Sequence, residues 1–223
     1  MNSAQIRRRG PLVAAAVAVL LSLPVLAVGQ EHPQEHPQEH PREHPKSGET
    51  APAMDQDEMM QAYLAAAEPG PEHELLANGA GRWKVTIKAW MDPSAPPMIT
   101  EGSEEAEMIL GGRYLESSFQ GQAMTGPFKG KGTLGYDNLK QKYVGTWCDS
   151  MGTGIMTYEG EYHPERKELV CHGDFIDAAT GQEQTARLVT RFVSDDEHVF
   201  EMWSPGPDGE MVKWMEMEYA RVK

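Results

Sequence analysis

The residues able to do chemistry fall into three groups. One is a repeat, Glu31-His32-Pro33-Gln34 and three further copies ending at Lys46, which sets His32, His36, His40 and His44 four residues apart. Such imidazoles would hold Zn, Cu or Ni weakly, and repeat expansion in a linker is the commoner origin of such a tract. The second group is carboxylates. Glu104, Glu105 and Glu107 crowd one stretch, and Glu159 and Glu161 share a strand face by the period of two. Carboxyl pairs are the material of acid–base catalysis, but charge runs on strands are usually solvated faces, and both sets read as exposed. The third group is scattered nucleophiles and bases: Ser150, His172, Cys148 and Cys171. A Ser150–His172 pair would need a strand-to-helix elbow, and no Gly-x-Ser-x-Gly exists. Asp149 to Gly154 reads instead as a hairpin turn whose Asp149 side chain accepts from nearby amides. No catalytic residue is assigned, the balance leans against an enzyme, and no cofactor is expected beyond a weak metal on the tail.

The chain that carries these groups has 223 residues and a formal charge of −14. That acidity excludes a nucleic-acid backbone as partner, since phosphate binding needs a positive face. With only two cysteines there is no disulfide framework and no four-Cys zinc site, and the absence of CxxCH excludes covalent haem. Arg7, Arg8 and Arg9 precede an apolar run from Pro11 to Gly29, the pattern of a secretory signal. Pro24 and the small residues Ala27 and Gly29 favour cleavage after Gly29 over retention as an anchor. The expected address is therefore periplasmic or extracellular, with membrane contact only through an uncleaved segment. Residues 30–54 then form a disordered tether, because a proline in every fourth position removes backbone donors and forbids helix or sheet.

Residues 55–78 read as a helical lead-in. Asp55 and Glu58 have capping-box spacing, and Met59, Met60, Tyr63 and Leu64 form a stripe read as a packing face. From residue 79 to 223 the period is two. Trp83, Val85, Ile87 and Ala89 alternate with Lys84, Thr86 and Lys88, and turn signals at Gly111-Gly112, Asp137-Asn138, Asp149 to Gly152, His163-Pro164, Ala178 to Gly181, Asp195-Asp196 and Pro205 to Gly209 cut the remainder. Together with the turn at Asp92-Pro93 and the break between a strand ending at Gln120 and one beginning at Phe128, this makes ten strands with short connections, hence all antiparallel. The expected fold is all-β: an antiparallel up-and-down barrel of about ten strands, because closure removes exposed edges and no long crossover is present.

Several stretches give this barrel a relative. Glu72-His73-Glu74-Leu75-Leu76, Met108 to Leu115, Gly135-Tyr136-Asp137-Asn138, Lys142 to Trp147 and Asp149 to Gly154 together resemble the DUF1579 family of bacterial proteins. Gly81-Arg82-Trp83 after a short helix is similar to the opening of lipocalin-like (calycin) barrels. The resemblance covers about residues 70–223 and implies a lipocalin-like barrel of unassigned function, with no catalytic residues to carry over. Cys148 stands where an aliphatic residue is expected, and the His-Pro tether lies outside the likeness.

A barrel of this size holds either packed side chains or a small ligand. Aromatic and methionine side chains suit a loosely shaped apolar ligand. Tyr114, Trp147, His172, Met202, Trp203, Met215 and Met217 are the lumen candidates, with Trp83 as a floor plug. The leading expectation is an exported binder of a small apolar or amphipathic molecule. The rivals are an enzyme on a lipid-like substrate, using lumen carboxylates or His172, and an envelope metal-binding or structural protein acting through its tail. Cys148 and Cys171 are expected as two small, mostly buried free thiols. One outcome follows for the tether: deleting residues 30–54 leaves the thermal midpoint nearly unchanged, because the segment has little apolar area to bury. A fall of many degrees in a melting experiment would show that the tail packs on the body.

Overall fold

A computed structural model describes residues 55–123, 126–177, 181–206 and 208–223. The His-Pro tether and the segment before it lie outside the described residues. Two helices, α1 (Gln56–Ala67) and α2 (Pro71–Ala77), lead into ten strands. These are β1 (Gly81–Ala89), β2 (Met98–Ile109), β3 (Tyr114–Ala123), β4 (Gly126–Asp137), β5 (Lys142–Asp149), β6 (Met156–His163), β7 (Glu168–Ile176), β8 (Glu183–Ser194), β9 (Glu197–Pro205) and β10 (Met211–Arg221).

Each strand pairs antiparallel with its chain neighbours, and β10 returns to pair with β1, closing the barrel. The closing register sets Trp83 opposite Arg221, Val85 opposite Tyr219 and Ile87 opposite Met217. The alternation along β1 explains the choice of face: Trp83, Val85 and Ala89 are buried inside, while Arg82 and Lys84 are exposed. At the β2–β3 turn Leu110, Gly111 and Gly112 all have positive φ. Glycine takes that backbone without the Cβ penalty, so the pair makes the reversal cheap around one strained leucine. Two irregularities break the ladders, one between Lys213 and Met215 on β10 and one between Phe192 and Ser194 on β8. The first brings Trp214 out of phase and buries it, with its Nε1 donating to the Ser204 carbonyl at 3.3 Å.

One end of the barrel is plugged. Helix α2 starts with Pro71 at its first turn and buries His73 and Leu76. It packs against β2, β3 and β4. Below it Trp83 donates from Nε1 to the Gly79 carbonyl at 2.9 Å, and Tyr143 donates its hydroxyl to the Glu72 carbonyl at 3.2 Å. Arg221 completes the plug: its guanidinium lies 4.1 Å over the Trp83 ring and donates to the Ala80 and Asn78 carbonyls.

Helix α1 departs from expectation. Its capping box forms, Asp55 accepting from the Glu58 N–H at 2.8 Å and Glu58 accepting from the Asp55 N–H at 3.2 Å. Its apolar stripe does not pack: Met59, Met60, Tyr63 and Leu64 are exposed and the helix buries nothing among the described residues. Among the described residues its C-terminal end is tied down, by Arg113 to the Ala67 carbonyl and Asn138 to those of Ala66 and Glu68.

The two cysteines also differ from the expected buried pair. Cys171 points inward on β7 and is 3% exposed, whereas Cys148 points outward on β5 and is exposed. Strand β6 lies between them and they face opposite sides of the wall, so no bridge can form. Burial pushes the Cys171 thiol up to about 12, which makes it inert to alkylation. Without reductant, mass spectrometry will therefore show one alkyl label on the native protein, at Cys148, and two after denaturation; a native count of two would place Cys171 within reach of solvent.

Candidate functional site

The inner wall follows from alternation and from where glycine interrupts it. On β4 the inward positions are Phe128, Gly130, Gly132, Leu134 and Tyr136. The Trp147 ring lies against Gly130 and Gly132, Tyr158 lies against Gly145, and Phe119 lies between Gly102 and Gly121, each occupying the space a Cβ would need. The rings are thus laid along the wall instead of standing into the barrel. Many inward apolar side chains remain only partly buried, among them Leu134, Met156, Phe175, Phe200 and Met202 on one side and Ile87, Phe128, Trp147 and Met215 on the other. Filled cores reach crystal-like density; here these inward side chains each keep part of their surface accessible.

One carboxyl reaches into that space, against the exposed reading of its acidic run. Glu104 sits on β2 between inward Gly102 and Ala106, with Trp83 and Phe119 as its cross-strand neighbours. No hydrogen bond or ion pair reaches it among the described residues. Burial alone raises its carboxyl from the ordinary 4.5 to about 7, the direction expected when desolvation penalises the ionised form. Glu104 also acts electrostatically on Tyr158 and Tyr219, whose hydroxyls burial pushes upward. The Tyr219 ring carries an imidazole on its face: His198 stacks on it at 4.2 Å and 17° and meets the edge of Trp83 at 4.5 Å. Burial, then the Arg221 charge, lowers His198 to about 4, so the imidazole is neutral at physiological pH.

The sequence candidates divide cleanly. Trp147, Met202, Met215 and Met217 face the lumen. Tyr114, His172 and Trp203 do not. Tyr114 begins β3 on the outer face, with its ring over Gly135. His172 is exposed between inward Cys171 and Gly173. Trp203 follows inward Met202, and on a regular strand neighbours cannot share a face; its Nε1 donates to Glu201 at 3.1 Å on the outer wall, and Lys213 sits 5.8 Å from its ring and 5.4 Å from that of Trp90. Glu159 faces solvent, paired to Lys142 at 2.8 Å. Asp149 accepts from the Met151 N–H at 2.8 Å, as a turn residue should. Ser150 and His172 form no pair.

Sequence reasoning missed the lumen roles of Glu104, Tyr158, His198 and Tyr219. The signal for Glu104 was present: Met98, Thr100, Gly102, Glu104, Ala106 and Met108 alternate with Glu101, Ser103, Glu105 and Glu107, so the acidic run straddles both faces. Two hollows open to solvent. One of about 420 Å³ is lined by Glu101, Gln120 and Lys129 together with inward Gly102, Gly121 and Phe128, and one of about 410 Å³ by Pro69, His73 and inward Met108 beside α2. Neither is lined by Glu104, Tyr158, His198 or Tyr219. Among the described residues no cluster of three or more His, Cys, Asp or Glu side chains is placed to hold a metal.

The chain belongs to the DUF1579 family, proteins of unknown function, whose pattern matches residues 68–221. No curated protein matches it. Among solved structures it is similar to Rv2717c from M. tuberculosis, at 12% identity and a TM-score of 0.50, covering 70% of this chain and 100% of that one. It is also similar to the S-type phycobiliprotein lyase CPES from Guillardia theta, at 12% identity and a TM-score of 0.48 over 72% of this chain and 97% of that one. A de novo designed fluorescence-activating β-barrel matches at 17% identity and a TM-score of 0.36, over 64% of this chain and 93% of that one. At these identities the likeness is one of fold.

The two displaced lumen groups give the stability a specific pH dependence. The folded protein binds the Glu104 proton more tightly than the unfolded chain, so stability falls as pH rises from 4.5 through about 7 and the full penalty applies above. His198 works the other way: its contribution is intact above 6.5 and is lost as pH falls towards about 4. Each shift corresponds to roughly 3 kcal/mol, and between pH 4.5 and 6.5 the two slopes oppose. Glu104→Gln is expected to raise the thermal midpoint by several degrees at about pH 8 and by little near pH 4.5. His198→Phe leaves only the Glu104 slope, so that variant gains stability steadily on acidification from about pH 7 to 4.5. Melting curves across this range check both, and a Glu104→Gln gain independent of pH would contradict the assignment.

Proposed function

We propose that this member of a family without an assigned function is an exported binder of a small apolar or amphipathic molecule, held in the barrel lumen. One observation carries the reading: the lumen-facing rings lie against glycines, and inward apolar side chains stay partly unburied around Glu104, a carboxyl that no hydrogen bond reaches among the described residues. Unfilled apolar surface in an enclosed space is costly to leave wet and favours an apolar occupant. The charged, apolar, small-residue order of residues 7–29 supports export. The His-Pro tail is then a tether, with any Zn, Cu or Ni binding incidental to the barrel.

A second reading rests on Glu104 itself. A carboxyl raised to about 7 in an apolar lumen is tuned for general acid–base work, and the Tyr158 and Tyr219 hydroxyls are hydrogen-bond donors on facing walls. Proton transfer on a lipid-like substrate is the chemistry these groups could perform. Binding is the more economical reading, because no second catalytic group bonds Glu104 among the described residues.

Phenylnaphthylamine, an uncharged dye that brightens in apolar surroundings, tests the binding function. Its fluorescence rises and saturates with the wild-type protein. Gly145→Ala forces the Tyr158 ring off the wall and into the lumen, since the added Cβ would occupy the far end of that ring. This variant stays folded and loses about tenfold or more in dye affinity, as expected when packed volume replaces the space for an occupant. No dye uptake by the wild type, together with native mass spectra free of any co-purified small molecule, would overturn the reading.

A further inference from the structure

Among the described residues the lumen carries no available base, and Glu104 is an acid there that no hydrogen bond reaches; Asp149, in phase with Trp147, accepts from that ring's Nε1 at 3.0 Å, and Asp177 is buried where β7 ends. Every strand lysine with a partner is on the outer wall: Lys84 pairs with Glu101, Lys88 with Glu216 and Glu218, Lys131 with Glu116, Lys142 with Glu159 and Lys213 with Glu201. Arg221 is committed at the plugged end to the Asn78, Ala80 and Asp195 carbonyls and to Asp196. The groups on which Glu104 acts are the Tyr158 hydroxyl from β6 and the Tyr219 hydroxyl from β10, and its cross-strand neighbours are Trp83 and Phe119. None of them bonds it; the Tyr219 hydroxyl points to Met217 Sδ at 3.7 Å.

The charge of the two barrel ends differs in the same sense. At the end away from α2, the connections 90–97, 150–155, 177–182 and 206–210 carry exposed Asp92, Asp208 and Glu210, a buried Asp177, and no lysine or arginine. At the plugged end the connections carry Arg113, Lys140, Arg166 and Lys167 against Glu165, Asp195 and Asp196. An acidic rim concentrates cations at the uncapped end and repels anions.

We infer that the lumen selects an amphipathic molecule bearing a protonated amine, with the ammonium on Glu104 and the apolar tail along the aromatic wall, over the same tail bearing a carboxylate. This rests on the binding function proposed above. A buried carboxylate without a partner is expensive, and an ammonium supplies both the charge and the hydrogen bonds it lacks. A carboxylate ligand would meet no cation and would have to share the lumen with Glu104.

Decylamine and decanoate, which differ only in the head group, decide it. At about pH 8 decylamine is expected to displace phenylnaphthylamine at a concentration about tenfold lower than decanoate, the size of one charge-assisted contact. Glu104→Gln loses the amine preference, so that decylamine and decanoate then compete at similar concentrations. Butylamine, with the head group but little tail, does not compete. Acidification through about pH 7 protonates Glu104 and shrinks the preference in the wild type while the variant stays flat. Equal competition by the two ligands in the wild type, or an amine preference that survives Glu104→Gln, overturns the inference while dye uptake leaves the binding function standing. Calorimetric titration with decylamine reads the amine contact directly even if the dye does not enter, so failure of the binding function and failure of the head-group assignment give different results.

Discussion

The ladder between β1 and β10 is the constraint on which the interior depends. Without it the meander is an open ten-strand sheet with two bare edges. With it, Trp83 meets Arg221 and Val85 meets Tyr219, and the inward residues of the first and last strands become neighbours. Glu104, on a strand separated from that of Tyr219 by β1, acts on it electrostatically only because the barrel closes. The raised carboxyl, the neutral imidazole and the buried thiol are all consequences of enclosure, since each is shifted mainly by desolvation.

Enclosure alone would not leave space; the glycines do. Closing ten strands makes a wide cylinder, and filling it would take a large side chain at nearly every inward position. This chain instead places Gly130, Gly132 and Gly145 on the inner face and lays Trp147 and Tyr158 across them. The rings gain full contact with the backbone while lowering the filled volume. The plugged end shows the opposite choice. There His73, Leu76, Trp83 and Tyr143 are nearly fully buried, and the three polar ones among them are hydrogen-bonded to the chain that crosses above. One end is built as a core and the middle as a surface turned inward.

The strands are legible in the sequence because alternation and turn chemistry agree over most of the chain: the ten expected from the period of two are the ten observed, with ends shifted by a few residues. The site is less legible because composition and phase give different answers. Composition puts both Met202 and Trp203 inside, although neighbours on a strand cannot share a face, and it groups Glu104 with Glu105 and Glu107 because the three are close in the chain. Phase alone separates them, since Ala106 and Met108 fix the inner face of β2 and Glu104 is in step with both. His198 carries no local signal: its environment is Tyr219 and Trp83, which closure brings to it from β10 and β1. The stripe on α1 shows the reverse failure, a helical period that is real yet has no partner surface among the described residues.

Glu104 and His198 also bear on each other as a pair. Both are held in their uncharged forms by the same desolvation, one as an acid and one as a base, and a proton moved from Glu104 to His198 would leave two charges where the lumen stabilises none. Glu104 and His198 are therefore both mainly uncharged near pH 6, between their two displaced titrations, and Glu104 becomes negative above about 7. That charge cannot be relieved from within, because the paired lysines are spent on the outer wall and Arg221 is fixed in the plug. Under the proposed binding function, a wall that accepts apolar contact, a rim that repels anions and a Glu104 that becomes negative without a partner favour an occupant apolar along most of its length, one that gains most if it brings a positive charge.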